Sequence, residues 1–278
     1  MLAKRIAFFL ITRPLNAAIG ALSVVLGAAL AQPPRWSAVM TCAVISAMLI
    51  LAGANVINDY YDIDIDRINR PQRMLPSGRL HRREALGLAI FLFACGFFFS
   101  ILTTTSLAAM AVLTTGALIW YSADLKRRPI SGNVVVSAVT AVAFLYGAQA
   151  GGRWQAGIAP ATFAFLMHLG REIIKDIEDR LGDAHGQART LPLVYGLTTA
   201  QWSASVALGA LLLIILVPFW RGEYNRTYLL IILSGVYPVV LYALYRLWKD
   251  PSAGSMRRVS AMLKADMLVG LAAIFWGR

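Results

Sequence analysis

The chain has 278 residues, of which 58% are hydrophobic and only 14% are charged. A soluble domain carries about 25% charged residues, so the composition excludes a soluble globule and indicates an integral membrane protein. A net charge of +12 would suit nucleic acid if it formed one patch, but here it is dispersed among loops.

The stretch 6–12 is apolar but short, and Arg13-Pro14 interrupts it, so it reads as an interfacial helix rather than a cleavable signal. Nine apolar runs of membrane-spanning length follow, at roughly 12–31, 36–57, 84–103, 105–121, 132–151, 157–175, 197–219, 227–245 and 259–277. Thr103-Thr104-Thr105 supplies the short polar turn between the third and fourth. Gly96 and Pro238 lie inside spans, where membrane helices tolerate them. Cys42 and Cys95 fall in separate spans without metal spacing and read as small buried apolar residues.

The loops carry an orientation signal. Taken alternately, one set holds 21 of the Lys and Arg residues: Lys4, Arg5, Arg13, six in 58–83, Lys126 to Arg128, four in 171–189 and five in 246–264. The other set holds Arg35, Arg153, Arg221, Arg226 and Arg278. By the positive-inside rule the first set is cytoplasmic. Thirteen of the fourteen acids read as lying on that side, with only Glu223 opposite. The expected topology is a multi-pass protein of the cell (inner) membrane, N-terminus inside, with cytoplasmic chemistry.

Two segments carry that chemistry. The pattern D-x-x-D-x-x-x-D occurs as Asp59, Asp62, Asp66 and again as Asp176, Asp179, Asp183, each at the end of a long apolar run. At about 100° per residue these positions share one helical face, so each triplet directs three carboxylates one way. Such a convergence beside a membrane repels itself unless cations intervene. Each triplet is followed by a basic loop and then by a Leu-Pro pair, Leu75-Pro76 and Leu191-Pro192. This points to an internal duplication with halves at roughly 12–130 and 131–245 and a final helix left over. The expected fold is thus an all-α membrane protein: one domain spanning 1–278, a bundle of about nine transmembrane helices in two pseudo-repeated four-helix halves. Symmetric halves would bring both triplets to one end of the bundle, across a shared cavity.

Mg2+ takes oxygen ligands and commonly binds through one or two carboxylates plus substrate phosphates. Two carboxylate clusters therefore suit a diphosphate neutralised by divalent ions. Arg67, Arg70, Arg73 and Arg79 in one loop and Lys126, Arg127 and Arg128 in another supply phosphate-binding cations. Basic loops are also ordinary topology signals, which is the reading for Arg82, Arg83 and Lys249. A single acidic triplet could equally be a solvated helix end; two of identical spacing in an acid-poor chain argue against that. Glu178 lies off the face of its triplet and reads as solvated, and His185 as loop. His168, one and two turns before Glu172 and Asp176, reads as an interhelical hydrogen-bonding residue. Tyr121 ends the fourth span, where its ring could either pack or face a carbocation.

The stretch NVINDYYDIDIDRINRPQRMLPSG at 55–78 resembles the signature of the UbiA superfamily of intramembrane prenyltransferases, with Asn58, Asp59, Asp62 and Asp66 followed by Arg70, Arg73 and Leu75 to Gly78. The second motif of that family, D-x-x-x-D, corresponds to Asp179 and Asp183. Further matches are Arg13-Pro14 with Asn16, and Tyr121, Lys126 and Arg127 followed by Gly132-Asn133. Within the family, REIIKDIEDRLGDAHGQARTLP at 171–192 looks most like the digeranylgeranylglyceryl phosphate synthase branch, and homogentisate and chlorophyll-type members share parts of it. Met74, where Pro often precedes Leu-Pro, and the additional Asp64 depart from the common pattern.

The resemblance implies Mg2+-dependent transfer of a polyprenyl group from an allylic diphosphate to a membrane-associated acceptor. Asp62, Asp66, Asp179 and Asp183 would be catalytic, and these with Asp59 and Asp176 would hold metal. Asn58, Arg70, Arg73, Lys126, Arg127 and Tyr121 would contact substrate. The acceptor would be geranylgeranylglyceryl phosphate or an aromatic ring such as 4-hydroxybenzoate or homogentisate. A cation transporter is the reading from a different class, but transporter acids sit near the bilayer midplane on broken helices, whereas these lie at helix ends. The dense D-G-x-x-A-R motif of nucleotide-linked head-group transferases is absent.

Overall fold

The computed structural model describes residues 2–32, 35–185 and 188–278, with side chains from Lys4 onward. Among the described residues there is helix and turn and no strand. The longer helices are α1 (Leu2–Ile11), α2 (Pro14–Leu30), α3 (Ala38–Asn69), α4 (Arg82–Ile101), α5 (Thr105–Ala123), α6 (Ser131–Ala150) and α7 (Ile158–His185). Next come the single turn α8 (Leu191–Val194), α9 (Leu197–Ile214), the single turn α10 (Val217–Trp220), α11 (Arg226–Ile231), α12 (Tyr237–Lys249) and α13 (Ala253–Trp276).

Every expected apolar run falls on helix. Seven helices are long and apolar enough to cross a membrane: α3, α4, α5, α6, the α9–α10 stretch, the α11–α12 stretch and α13. An eighth span results if α1 and α2, bent by 42°, count as one. Helix α7 has the length, but Arg171, Glu172 and Lys175 interrupt its apolar stretch.

Local chemistry sets the breaks. Pro14 has no N–H to donate and disfavours helical geometry in the residue before it. Arg13 leaves the helix in a left-handed conformation at φ 51°, and α1 turns away from α2. Ser37 caps α3 by accepting from the Met40 N–H at 3.3 Å, and Thr104 caps α5 through the Leu107 N–H at 3.4 Å. Ahead of Pro238 the chain winds a π turn, Ile232–Val236, which absorbs the register change a proline imposes.

The helices gather into two compact units. The first comprises Met1–Lys126 with Val142–Ile158, the second Arg127–Ala141 with Ala159–Arg278. In the first unit Val24, Ala43, Leu107 and Tyr146 form a buried cluster joining α2, α3, α5 and α6. Here α2 and α6 approach backbone to backbone. A Cβ added at Gly147 would lie 2.0 Å from the Val24 carbonyl oxygen. Close approach at small residues is how membrane helices gain packing without a hydrophobic drive between them. In the second unit α13 packs against α11, α12 and the π turn, and the buried Tyr228 donates its hydroxyl proton to the Ile215 carbonyl at 2.7 Å. Gln201 donates to the Leu247 carbonyl at 2.7 Å, tying α9 to α12.

Helix α3 has 32 residues, so at about 1.5 Å per residue it extends about 48 Å. The hydrocarbon core is only about 30 Å thick. Helix α7, with 28 residues, is about 42 Å long. These two helices carry the acidic triplets, each on the stretch that continues past the apolar run.

Candidate functional site

In the first unit the end of α3 presents Asp59, Asp62 and Asp66 on one face, at 5%, 2% and 4% exposure. Asp64, between them in sequence, points away and is exposed, paired with the exposed Arg67. The i, i+3, i+7 geometry therefore produces the buried carboxylate face that the spacing predicts.

Each carboxylate is matched by a base brought from elsewhere in the unit. The elbow before α2 places Arg13 on Asp59. The elbow is itself fixed to α3 by the Asn55 amide, which donates to the Thr12 carbonyl at 3.0 Å. After α3 the chain folds back through a compact loop. The Ser77 N–H reaches the Arg73 carbonyl at 3.0 Å, Gly78 takes φ 73°, and Leu75 and Leu80 are buried. This returns Arg73 over the helix end, where its guanidinium bridges Asp66 at 2.5 Å and Asp59 at 3.3 Å. Lys126, just past α5, pairs with Asp62, which also accepts from the Asn58 amide at 2.8 Å. Burial works against the Lys126 ammonium, but Asp62 beside it outweighs that and holds its pKa above the ordinary lysine value.

The other residues of the sequence reading lie as follows. Arg70 closes α3, its N–H donating to the Asp66 carbonyl at 2.8 Å. Tyr121 is buried on the last turns of α5. Arg127 has an exposed side chain and belongs to the second unit, where its carbonyl accepts from the Arg189 N–H at 2.7 Å. Cys42 and Cys95 are half-buried and free.

In the second unit the end of α7 carries Asp176, Asp179 and Asp183. Asp183 is buried and the other two are half-buried. Asn133, near the start of α6, donates its amide to Asp176 at 2.9 Å. One turn earlier Glu172 is buried between Arg171 at 2.9 Å and Lys175 at 2.7 Å. Glu178 corrects the expectation of a solvated side chain. It is buried and paired with Arg257 of α13 at 3.1 Å, a partner that the periodicity of α7 alone does not reveal. His185 is the last residue of α7 rather than loop, its Nδ1 2.8 Å from the Leu181 carbonyl. Gly186 and Gln187, within the 171–192 stretch, lie outside the described residues.

Sequence reasoning missed Arg13 and Asn133 as carboxylate partners, since they lie 46 and 43 residues from the acids they bind. Only their place in the family pattern signalled them. The same reasoning counted Asp266 with the thirteen acids of the cytoplasmic side, whereas that residue lies buried midway along α13.

Both helix ends offer oxygen donors of the type Mg2+ prefers. Among the described residues no three acid, histidine or cysteine side chains close into a ready metal cage.

A family model described as the UbiA prenyltransferase family matches residues 19–265. Digeranylgeranylglyceryl phosphate synthase of Thermococcus gammatolerans is 37% identical over 267 residues, 95% of each chain. A solved structure of a digeranylgeranylglyceryl phosphate synthase in membranes superposes with a TM-score of 0.77 at 27% identity, covering 99% of this chain and 98% of that one. A UbiA homolog from Archaeoglobus fulgidus bound to GPP and Mg2+ shares the fold, with a TM-score of 0.72, 18% identity and coverage of 97% and 99%.

Proposed function

The chain belongs to the UbiA prenyltransferase family, and from that membership we propose that it transfers a geranylgeranyl group from its allylic diphosphate to geranylgeranylglyceryl phosphate, releasing diphosphate. The observation that carries this reading is the buried carboxylate face of α3, with Arg13, Arg73 and Lys126 each seated on one of its acids. A face of hard oxygen donors interleaved with cations suits a metal diphosphate better than a bare cation or a bare anion. The synthase name of the 37%-identical relative supports the choice of acceptor.

Asp59, Asp62, Asp66 and Asp176, Asp179, Asp183 are assigned as the oxygen ligands of Mg2+. Mg2+ held by these carboxylates would supply neutralisation of the diphosphate charge and so a better leaving group. Asn58 orients Asp62 through its amide. Arg73 and Lys126 stand where they can exchange a carboxylate partner for phosphate oxygens, Arg by planar bidentate contact and Lys as a point charge. Arg70, Arg127 and Tyr121 are assigned to substrate from their places in the family pattern. In the transfer the acceptor hydroxyl oxygen forms a bond to the allylic carbon while the bond from that carbon to the diphosphate oxygen breaks. The hydroxyl proton leaves with the diphosphate or passes to water.

Nine spans, with α2 and α7 added to the seven apolar ones, and cytoplasmic acidic ends complete the proposal. The loop distribution of Lys and Arg supports that orientation. An acceptor screen tests it. Purified protein with Mg2+ and labelled geranylgeranyl diphosphate should label geranylgeranylglyceryl phosphate and leave 4-hydroxybenzoate and homogentisate unlabelled. Labelling of an aromatic acceptor alone would replace this substrate with an aromatic one.

A further inference from the structure

Asp266 takes no part in either acidic helix end. It lies on α13, thirteen residues from the start of that helix, about 20 Å along it, and is 3% exposed. Both carboxyl oxygens are buried and neither has a hydrogen-bond partner. Its nearest buried neighbours on that stripe, Val259 and Leu263, are apolar, and the buried Ser255 on the same line lies eleven residues back, about 16 Å away. Lys264 lies about 200° round the helix from it. One turn onward on the stripe is Gly270, where an added Cβ would meet nothing within 4 Å. An unpartnered carboxyl thus lies one turn from the half-exposed Gly270, where the helix surface is left open.

Burying a polar group without a partner is costly, and an acid inside a membrane helix is a functional candidate by default. We propose that Asp266 and the open helix surface at Gly270 form a subsite within the bilayer for a single hydroxyl group, supplied by a lipid alcohol or by a buried water. A metal ion needs more oxygens than one carboxyl brings, and the apolar stripe supplies no others. A hydroxyl both donates and accepts, so it satisfies the carboxyl with or without its proton. The lipid-alcohol source rests on the proposed reaction, whose acceptor carries a free hydroxyl; the site itself does not.

Infrared difference spectroscopy on the full chain in phosphatidylcholine nanodiscs tests this. The carboxyl band of Asp266 is identified by its loss in Asp266→Asn. A dialkylglycerol with a free hydroxyl is added, and separately its methyl ether; a third sample is exchanged into H2(18)O. A band that shifts with the free alcohol and not with the ether assigns a lipid hydroxyl. A water O–H stretch that shifts on H2(18)O exchange in the wild type and is missing from Asp266→Asn assigns a water. A carboxyl band unmoved by the free alcohol, together with no such water stretch, overturns the proposal. In the lipid case the free alcohol also raises the melting temperature of the wild type but not of Asp266→Leu, and equal rises in both would contradict that assignment. The band is read without turnover, so failure of the proposed reaction shows separately as absent prenyl transfer by the wild type.

Discussion

Asp62 illustrates how the carboxylates are kept buried. It is 2% exposed and stands between the Asn58 amide and the Lys126 ammonium. Removing one partner of a buried ion pair leaves an uncompensated charge, which costs about 3–5 kcal/mol for a fully enclosed pair. Lys126 retains some solvent contact, so Lys126→Met should fall toward the lower end, about 3 kcal/mol, and Lys126→Arg should recover part of it. Denaturant titration in detergent measures the difference. The folded pKa of Lys126 is raised, so its contribution is complete below the unfolded lysine value of about 10.4 and is lost as pH climbs through the higher folded one. The gap between wild type and Lys126→Met should therefore stay level through neutral pH and shrink only in strong alkali. At this scale the sequence was partly legible. The triplet spacing located the buried carboxylates and put Asp64 outside them. The bases on them were harder to foresee, because Arg13 reaches Asp59 across 46 residues and only the fold brings them together. Glu178 and Asp266 escaped because burial by a neighbouring helix leaves no trace in the periodicity of their own.

Helix ends rather than helix middles separate expectation from structure at the next scale. The apolar run in 36–57 gave the span of α3, but the helix continues to Asn69; hydropathy ends where the membrane would, while backbone hydrogen bonding does not. The break between α1 and α2 was legible because Arg13-Pro14 forces it. The π turn before Pro238 was not, since a span tolerates proline in several ways. Packing between elements is similarly specific. At Gly147 a Cβ would strike the Val24 backbone, whereas at Gly116 on α5 it would meet nothing within 4 Å. Gly147→Ala should lower stability by about 1–3 kcal/mol through overpacking, with Gly116→Ala close to wild type. Paired thermal melts in one detergent compare them.

Across the whole molecule, composition alone separated a membrane protein from a soluble one, and the position of the acids at helix ends separated an enzyme of diphosphates from a transporter. The span count was less legible: seven helices qualify by length and apolarity, and α7 is passed over because Arg171, Glu172 and Lys175 interrupt its apolar stretch. Topology is checked by labelling. In a chain with Cys42 and Cys95 replaced, Arg128→Cys should react with an impermeant maleimide only from the cytoplasmic side of oriented vesicles. Glu223→Cys should react only from the opposite side. Reaction of both from one side would reject the nine-span orientation. The central claim is that the acids of α3 and α7 serve one metal-dependent diphosphate chemistry, and its most direct test is diphosphate release from geranylgeranyl diphosphate in the presence of acceptor. The wild type should release diphosphate with Mg2+ and stop on chelation, and both Asp62→Ala and Asp179→Ala should lose nearly all of that release while remaining folded. Full release by either variant, or release indifferent to Mg2+, would contradict it.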